Sequence, residues 1–191
     1  MSRPRISIFA RYPEPGKAKT RLIPALGADG AARVYTRLLE GTVAQARAAG
    51  LPFELRVTGE RSEAFREWLG DDFAVVDQGG GDLGARMARV PAPALLIGSD
   101  CPGLTAPILR AAAAQLAERR VVIGPASDGG YYLIGLREPM PFLFEDMEWS
   151  TPQVFGETLG RLTAHGIAPA ILPELSDVDL PEDLLPWPQL R

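Results

Sequence analysis

Lys17 and Lys19, the chain's two lysines, stand two positions apart in Pro15-Gly-Lys-Ala-Lys-Thr-Arg-Leu22, and every other Lys/Arg position is arginine. Lysine is a compact, rotatable point charge and arginine a planar fork, so the two are not equivalent around a phosphate chain. Arg11, Lys17, Lys19 and Arg21 lie on one Pro-x-Pro-Gly scaffold. Four such cations neutralise most of a triphosphate's charge, and Gly16 permits close backbone approach. The Gly-x4-Gly-Lys-Ser/Thr spacing of a Walker A loop is absent. The competing reading is a solvated basic loop.

A phosphate site of this kind needs a metal. Asp100 closes the apolar run Leu95-Leu-Ile-Gly-Ser-Asp100. A carboxylate there is poorly solvated unless it is paired or holds a cation, which points to a Mg²⁺ or Mn²⁺ ligand. The other use of Asp100 is as a helix N-cap, but Thr105 is better placed for it. The second ligand is sought in Asp177-Val-Asp-Leu-Pro-Glu-Asp183. Asp177 and Asp179 precede Pro181 and are free to point into a cleft, with Asp179 preferred. Asp183 fits the first turn of a terminal helix, favoured by its dipole.

Three further segments could hold the organic parts of substrates. Gln78-Gly-Gly-Gly-Asp-Leu-Gly-Ala-Arg-Met87 is a loop able to lie flat on a planar base, with Gln78 offering an amide pair. A flexible surface loop fits it equally. Asp128-Gly-Gly-Tyr-Tyr132 sets a carboxylate and aromatics beside a strand, suited to an acceptor hydroxyl or to a tight turn with core tyrosines. Trp149-Ser-Thr151 is similar, Thr151 serving as well for a helix N-cap. His165, the single histidine, reads as a dipole-favoured residue at a helix C-terminus, which argues against Ser-His-Asp or Cys-His chemistry. Cys101, the single cysteine, reads as a small buried hydrophobe, with no intramolecular disulfide and no thiolate metal cluster.

Alternating elements must position these loops. Strands are predicted at Ile6–Ala10, Phe53–Thr58, Phe73–Asp77, Ala94–Gly98, Val121–Pro125, Tyr131–Leu136 and Ala168–Leu172. Helices are predicted from Asp29 to Ala49 with Gly50 as a stop, and over Ser62–Leu69, Thr105–Arg119 and Thr151–His165. This pattern predicts a three-layer α/β/α sandwich with a mostly parallel sheet, in which ligands sit at the carboxyl ends of the strands. The loops after the first, third, fourth and fifth strands are the four unusual segments above. A length of 191 residues, without repeats or linkers, predicts a single domain. Net charge −4 at pH 7 argues against a nucleic-acid or membrane surface. The first apolar run is too short for a signal peptide or span, so a cytoplasmic protein is expected.

Together the motifs resemble the bacterial selenodomain-associated transferase 1 family, of the nucleotide-diphospho-sugar transferase (glycosyltransferase A-type) fold. The matching runs are Phe9-Ala-Arg-Tyr-Pro-Glu-Pro-Gly-Lys-Ala-Lys-Thr-Arg-Leu22, Gln78 to Met87, Gly98-Ser-Asp-Cys-Pro102, Ser127-Asp-Gly-Gly-Tyr-Tyr132, Trp149-Ser-Thr151 and Asp177-Val-Asp179. More distantly the chain looks like molybdenum-cofactor and 2-phospholactate guanylyltransferases. That resemblance implies Arg21 on phosphates, Gln78, Leu83 and Gly84 at the base, and Asp100 with Asp179 on magnesium. The first loop departs from those enzymes, with Pro-Glu-Pro in place of Gly-Gly or Ala-Gly, and a single Asp stands where glycosyltransferases of this fold show Asp-x-Asp.

The expected activity is a metal-dependent nucleotidyl transfer from a nucleoside triphosphate to a phosphorylated or hydroxylated small acceptor. Lys19, Arg21 and Asp128 are the expected catalytic groups, Arg11, Gly16 and Lys17 further phosphate contacts, and Tyr131, Trp149 and Ser150 the acceptor site. A glycosyltransferase using a nucleotide sugar, with Asp128 as base, is the second reading. A catalytically silent nucleotide-binding module is the third. Base, acceptor and oligomeric state are left open.

Overall fold

In this computed structural model the described residues are 3–58 and 62–191. The strands are β1 (Arg5–Ala10), β2 (Phe53–Val57), β3 (Ala74–Asp77), β4 (Ala94–Ile97), β5 (Val121–Pro125), β6 (Tyr131–Leu136) and β7 (Ala170–Ile171). They form one sheet in the order β3-β2-β1-β4-β6-β5-β7. β6 runs antiparallel to both β4 and β5, and the other pairs are parallel. The exception has a simple cause: the short turn at 126–130 allows only a hairpin-like return, whereas parallel pairs need a crossover. Each strand lies on a run expected from the sequence, with β7 cut to two residues at the sheet edge.

Alternation along the strands divides the core in two. Ile6, Ile8, Leu55, Leu95, Ile97 and Leu133 face α1 (Ile23–Ala49), α2 (Ser62–Leu69) and α4 (Ala106–Glu118). Leu96, Val121, Ile123, Ile134 and Leu136 face the opposite way, toward α3 (Leu83–Ala88) and α5 (Val154–Ala164). Helices on both faces make the expected three-layer sandwich. On β1 and β2 that second face carries polar groups: buried Glu54 accepts from Ser7 Oγ (2.9 Å), Arg5 Nη1 (3.0 Å) and Arg56 Nε (2.6 Å). Burial alone would raise the Glu54 pKa, but Ser7, Arg5 and Arg56 hold it below the ordinary value.

Two helix starts and one additional helix differ from expectation. α1 begins at Ile23 and is interrupted at Gly27 (φ 70°, ψ 169°), so the helix expected from Asp29 is its second part. Its stripe of Val34, Leu38, Leu39, Val43 and Ala46 is buried, and Gly50 closes it in the left-handed conformation. α5 begins at Val154, beyond Thr151, whose hydroxyl donates back to Glu148 O (2.9 Å) and caps nothing. α3 was expected to be loop. Asp82 nucleates it by accepting from Ala85 N (2.8 Å), a cap strong enough to start a helix of six residues.

The Pro-rich tail forms 3-10 turns at Pro181–Leu184 and Pro188–Leu190. Leu184 and Leu190 pack with Val178, Leu22, Val34 and Leu38, which clamps the tail to α1 and to the end of the lysine loop. No helix among the described residues is long and apolar enough to cross a membrane.

Candidate functional site

The carboxyl ends of β1, β4 and β5 and the amino end of β6 meet at one edge of the sheet. Two links hold this edge together. Tyr35 of α1 accepts from Arg11 N (3.1 Å) and shares a hydrogen bond with Ser99 Oγ (2.9 Å), tying the ends of β1 and β4. Val178 N donates to Asp100 O (2.9 Å), which brings the late acidic segment beside the end of β4.

The lysine loop folds on itself before it reaches the site. Glu14 O accepts from Lys17 N (3.0 Å) and Ala18 N (3.2 Å), and Gly16 takes the positive φ (83°) that this turn requires. Ala18 and Leu22 are fully buried. Held between these anchors, Lys19 adopts left-handed backbone (φ 48°, ψ 50°), a sparsely populated conformation for a residue with a side chain.

The consequence is that the two lysines point to different places. Lys19 is inward: its side chain is 8% exposed, with Nζ 3.0 Å from Asp100 Oδ2 and 3.6 Å from Asp179 Oδ1. Burial opposes its charge, but Asp100, Asp179 and Asp177 outweigh burial and raise its pKa above the ordinary lysine value. Lys17 is outward, 71% exposed and paired with Glu14 Oε1 at 2.9 Å. Arg21 Nη1 donates to Asp179 Oδ2 (2.5 Å), and Arg11 Nη1 donates to Lys17 O (3.3 Å). The expected four-cation cradle is therefore not assembled. Only Lys19 and Arg21 face the aspartates, because the three-residue spacing of Glu14 and Lys17 lets that pair close locally.

Asp100 and Asp179 come together as expected, and the structure adds Asp177. A cleft of about 320 Å³ opens beside them, with Phe9, Leu83, Met87, Tyr131 and Trp149 among its walls and Asp100, Asp128 and Asp177 at its rim. Burial, Asp100 and Asp128 push the Asp177 carboxyl up to about 6, against the pull of Lys19. Asp177 was passed over because nothing in the string Asp177-Val-Asp179 distinguishes the two acids; Asp179 is instead the one that reaches Lys19 and Arg21.

Tyr131, Trp149 and Ser150, the residues expected to meet an acceptor, line the cleft together. The Tyr131 and Trp149 rings meet edge to face at 6.5 Å, and Tyr131 Oη and Trp149 Nε1 are buried without a hydrogen-bond partner. Ser150 has φ 64°, a second strained position at this edge. Asp128 is exposed and accepts from Gly130 N (2.8 Å).

The glycine-rich segment differs most from expectation. Gln78 is buried, and its Nε2 donates to Ala10 O (3.1 Å) and Arg56 O (2.8 Å). Its amide donors brace the ends of β1 and β2 and are not presented to a base. The glycines beyond it wrap around arginines: Arg89 donates to Gln78 O and Gly80 O, and Arg86 Nε to Gly81 O. A Cβ at Gly84 would lie 2.3 Å from Phe144 O and 3.0 Å from Trp149 Nε1, so Gly84 lets α3 approach the cleft wall. Leu83, 41% exposed, lines the same cleft as Tyr131, Trp149 and Ser150.

His165 ends α5 and stacks on Phe142 at 3.8 Å, away from the site, as expected. Cys101 is buried, and burial with Asp100 raises its thiol to about 12, which disfavours the thiolate.

Among the described residues no three His, Cys, Asp or Glu side chains form a ready-made metal cage. Two carboxylates already converging on one cation still fit Mg²⁺ or Mn²⁺. Magnesium in phosphoryl sites is commonly bound by one or two carboxylates plus water and substrate phosphates. Here the Lys19 ammonium stands where such a cation would be shared.

A family model described as "Uncharacterized protein conserved in bacteria (DUF2064)" matches residues 42–151. No curated protein matches the chain. Among solved structures, a candidate nucleotide-diphospho-sugar transferase from Desulfovibrio desulfuricans G20 is 31% identical, with TM-score 0.87 over 94% of this chain and 84% of that one. Rv0371c of Mycobacterium tuberculosis H37Rv, in complex with manganese, gives 20% identity and TM-score 0.53 over 99% and 98% of the two chains. A CMP:2-keto-3-deoxy-manno-octonic acid synthetase complexed with CTP gives 16% and 0.54 over 96% and 95%. The last two share the fold.

Proposed function

This chain belongs to the bacterial family DUF2064, and we propose that it is a metal-dependent nucleotidyltransferase close to the selenodomain-associated transferases. A nucleoside triphosphate and a small hydroxylated or phosphorylated acceptor give a nucleotide-linked acceptor and pyrophosphate. The acceptor oxygen bonds to the α-phosphorus, the bond to the β-phosphate bridge breaks, and the acceptor proton leaves to a base.

One observation carries this reading: Lys19 and Arg21 meet Asp100 and Asp179 at the carboxyl edge of the sheet, directly beside a cleft with an acidic rim. Phosphate oxygens are natural exchange partners for these cations, since Arg21 offers a fork and Lys19 a compact charge. Asp100 with Asp179 would hold a divalent ion, which when bound offsets charge developing on the triphosphate. The acceptor enters the cleft against Tyr131 and Trp149, and Asp128 at its rim takes the acceptor proton. This chemistry needs alignment and charge cancellation more than covalent participation. Manganese on Rv0371c and CTP on the synthetase belong to those proteins, and they support the choice of metal and triphosphate.

The name of the 31% identical Desulfovibrio protein favours a second reading, glycosyl transfer from a nucleotide sugar. There Lys19 and Arg21 would stabilise the departing diphosphate. The deciding experiment incubates the protein with each nucleoside triphosphate and each common nucleotide sugar, with Mg²⁺ or Mn²⁺. Pyrophosphate release supports nucleotidyl transfer, and free nucleoside diphosphate from a nucleotide sugar supports the second reading. Tight binding without turnover leaves a silent nucleotide-binding module.

A further inference from the structure

We infer that Lys19 occupies the divalent-metal position of the nucleotide-free protein and has to leave it before the ion is held, so that Lys19 couples metal binding to nucleotide binding. The inference rests on the assignment of Asp100 and Asp179 as metal ligands and concerns the regulation of that same site.

The argument starts from geometry. Lys19 Nζ lies 3.0 Å from Asp100 Oδ2 and 3.6 Å from Asp179 Oδ1, between the oxygens that would ligate the ion. The ammonium is nearly buried, and the left-handed backbone between buried Ala18 and Leu22 sets the direction in which its flexible stem leaves the chain. A dication shared by the same two oxygens would crowd this ammonium at short range, where like charges repel strongly. Metal binding thus requires Lys19 to give up both carboxylates. An anion is the partner that compensates this loss, and the triphosphate of the proposed substrate is one. By linkage, whatever draws Lys19 away tightens metal binding, and metal favours the anion in return. Arg21 is not equivalent: it reaches only Asp179 and is 69% exposed, so it can leave into water.

The test uses the nucleotide-free full chain and Mn²⁺ alone, read as loss of the free-ion electron paramagnetic resonance signal. Lys19→Gln should bind Mn²⁺ about tenfold or more tighter than wild type, within the ordinary range of site coupling. Lys17→Gln removes the same charge from an outward, Glu14-paired lysine and should change affinity by about twofold at most under screening salt. Adding Asp100→Asn to Lys19→Gln should abolish the gain. Equal gains for the two lysine variants, or no gain for Lys19→Gln, would overturn the inference.

A second measurement needs no variant. With ¹⁵N-labelled lysine the wild-type protein offers two side-chain ammonium signals, and the buried one belongs to Lys19. Saturation with Mg²⁺ should shift that signal or lose it to exchange with water and leave Lys17 unchanged. A Lys19 signal that survives Mg²⁺ saturation, or a protein that binds neither ion, sinks the idea. Competition without nucleotide turnover keeps the inference and removes the nucleotidyl reading, whereas turnover without competition does the reverse.

Discussion

On the β1 side of the site, each cation turned toward the acids already has an anion: Lys19 holds Asp100 and Asp179, and Arg21 holds Asp179. Across the edge, the described residues lining the cleft include Asp100, Asp128 and Asp177 but no Lys, Arg or His. The first region is organised by ion pairs. The second is organised by close packing of backbone and rings, with Gly84 against Phe144 O and Trp149, and Gly129 against Pro152. Substitutions on the first side should therefore act through charge and ion binding, and those on the second through shape and stability.

The largest expected effect tests the charged side. Asp100→Asn should lower metal-dependent turnover by about a thousandfold, the scale set by losing a metal's charge stabilisation, while circular dichroism and thermal melting stay close to wild type. Turnover that persists at ordinary Mg²⁺ would move the metal to Asp177 and Asp128 and erase the contrast between the two regions.

On the packed side, Gly84→Ala places a Cβ 2.3 Å from a backbone oxygen that cannot rotate away. A loss of about 2–3 kcal/mol is expected, as for other forced overpacking, measured as a lower urea midpoint at unchanged slope. A neutral result would show that α3 stands off from the cleft wall. The comparison would then lose its second half.

Swaps at constant charge sharpen the charged side further. Lys19→Arg should reduce turnover about tenfold, because a guanidinium fork does not fit where a compact ammonium sits. Arg21→Lys should cost a similar factor through loss of a bidentate phosphate grip, and Lys17→Arg should stay within about twofold because its side chain points to solvent. Turnover and nucleotide affinity at two salt concentrations read all three. Equal loss at positions 17 and 19 would mean that the loop acts as one undifferentiated charge.

The smallest expected effect is on specificity. Gln78→Ala leaves Ala10 O and Arg56 O without their side-chain donor. Stability should fall by about 1–3 kcal/mol, the range for buried groups left unsatisfied. Nucleotide preference in competition binding should not change. A changed preference would return Gln78 to the base site.

The contrast between the regions also follows what could be read in one dimension. Each of the seven strands was legible as a short, mostly apolar run bounded by turn residues, a signal that needs no knowledge of its neighbours even at the half-exposed β7. The loops that follow them gather at one edge, since the carboxyl ends of parallel strands lie side by side. Asp100 was picked on that basis, Asp179 from the late acidic run, and Tyr131, Trp149 and Ser150 from aromatic segments; Asp100 and Asp179 converge on Lys19, and Asp100 lines one cleft with Tyr131, Trp149 and Ser150. α3 was hidden by its six-residue length and glycine-rich approach, which leave no periodicity to detect. Gln78 was misread because the carbonyls that occupy its amide, Ala10 and Arg56, are 68 and 22 residues away.

Residue types and spacing by themselves determined the alternation of strands and helices, the edge where the unusual loops gather, and the acids and bases found there. All of these depend on local propensity and on a periodic pattern. The tertiary structure alone decided which charges are already paired. Lys17 and Lys19 are chemically identical, yet one is matched to Glu14 three residues before it, and the other to an aspartate 81 residues later. An electrostatic partner is selected by distance in space, at separations of a few ångströms, and the direction in which a buried Ala18 and Leu22 aim the intervening lysine is a property of the packed core.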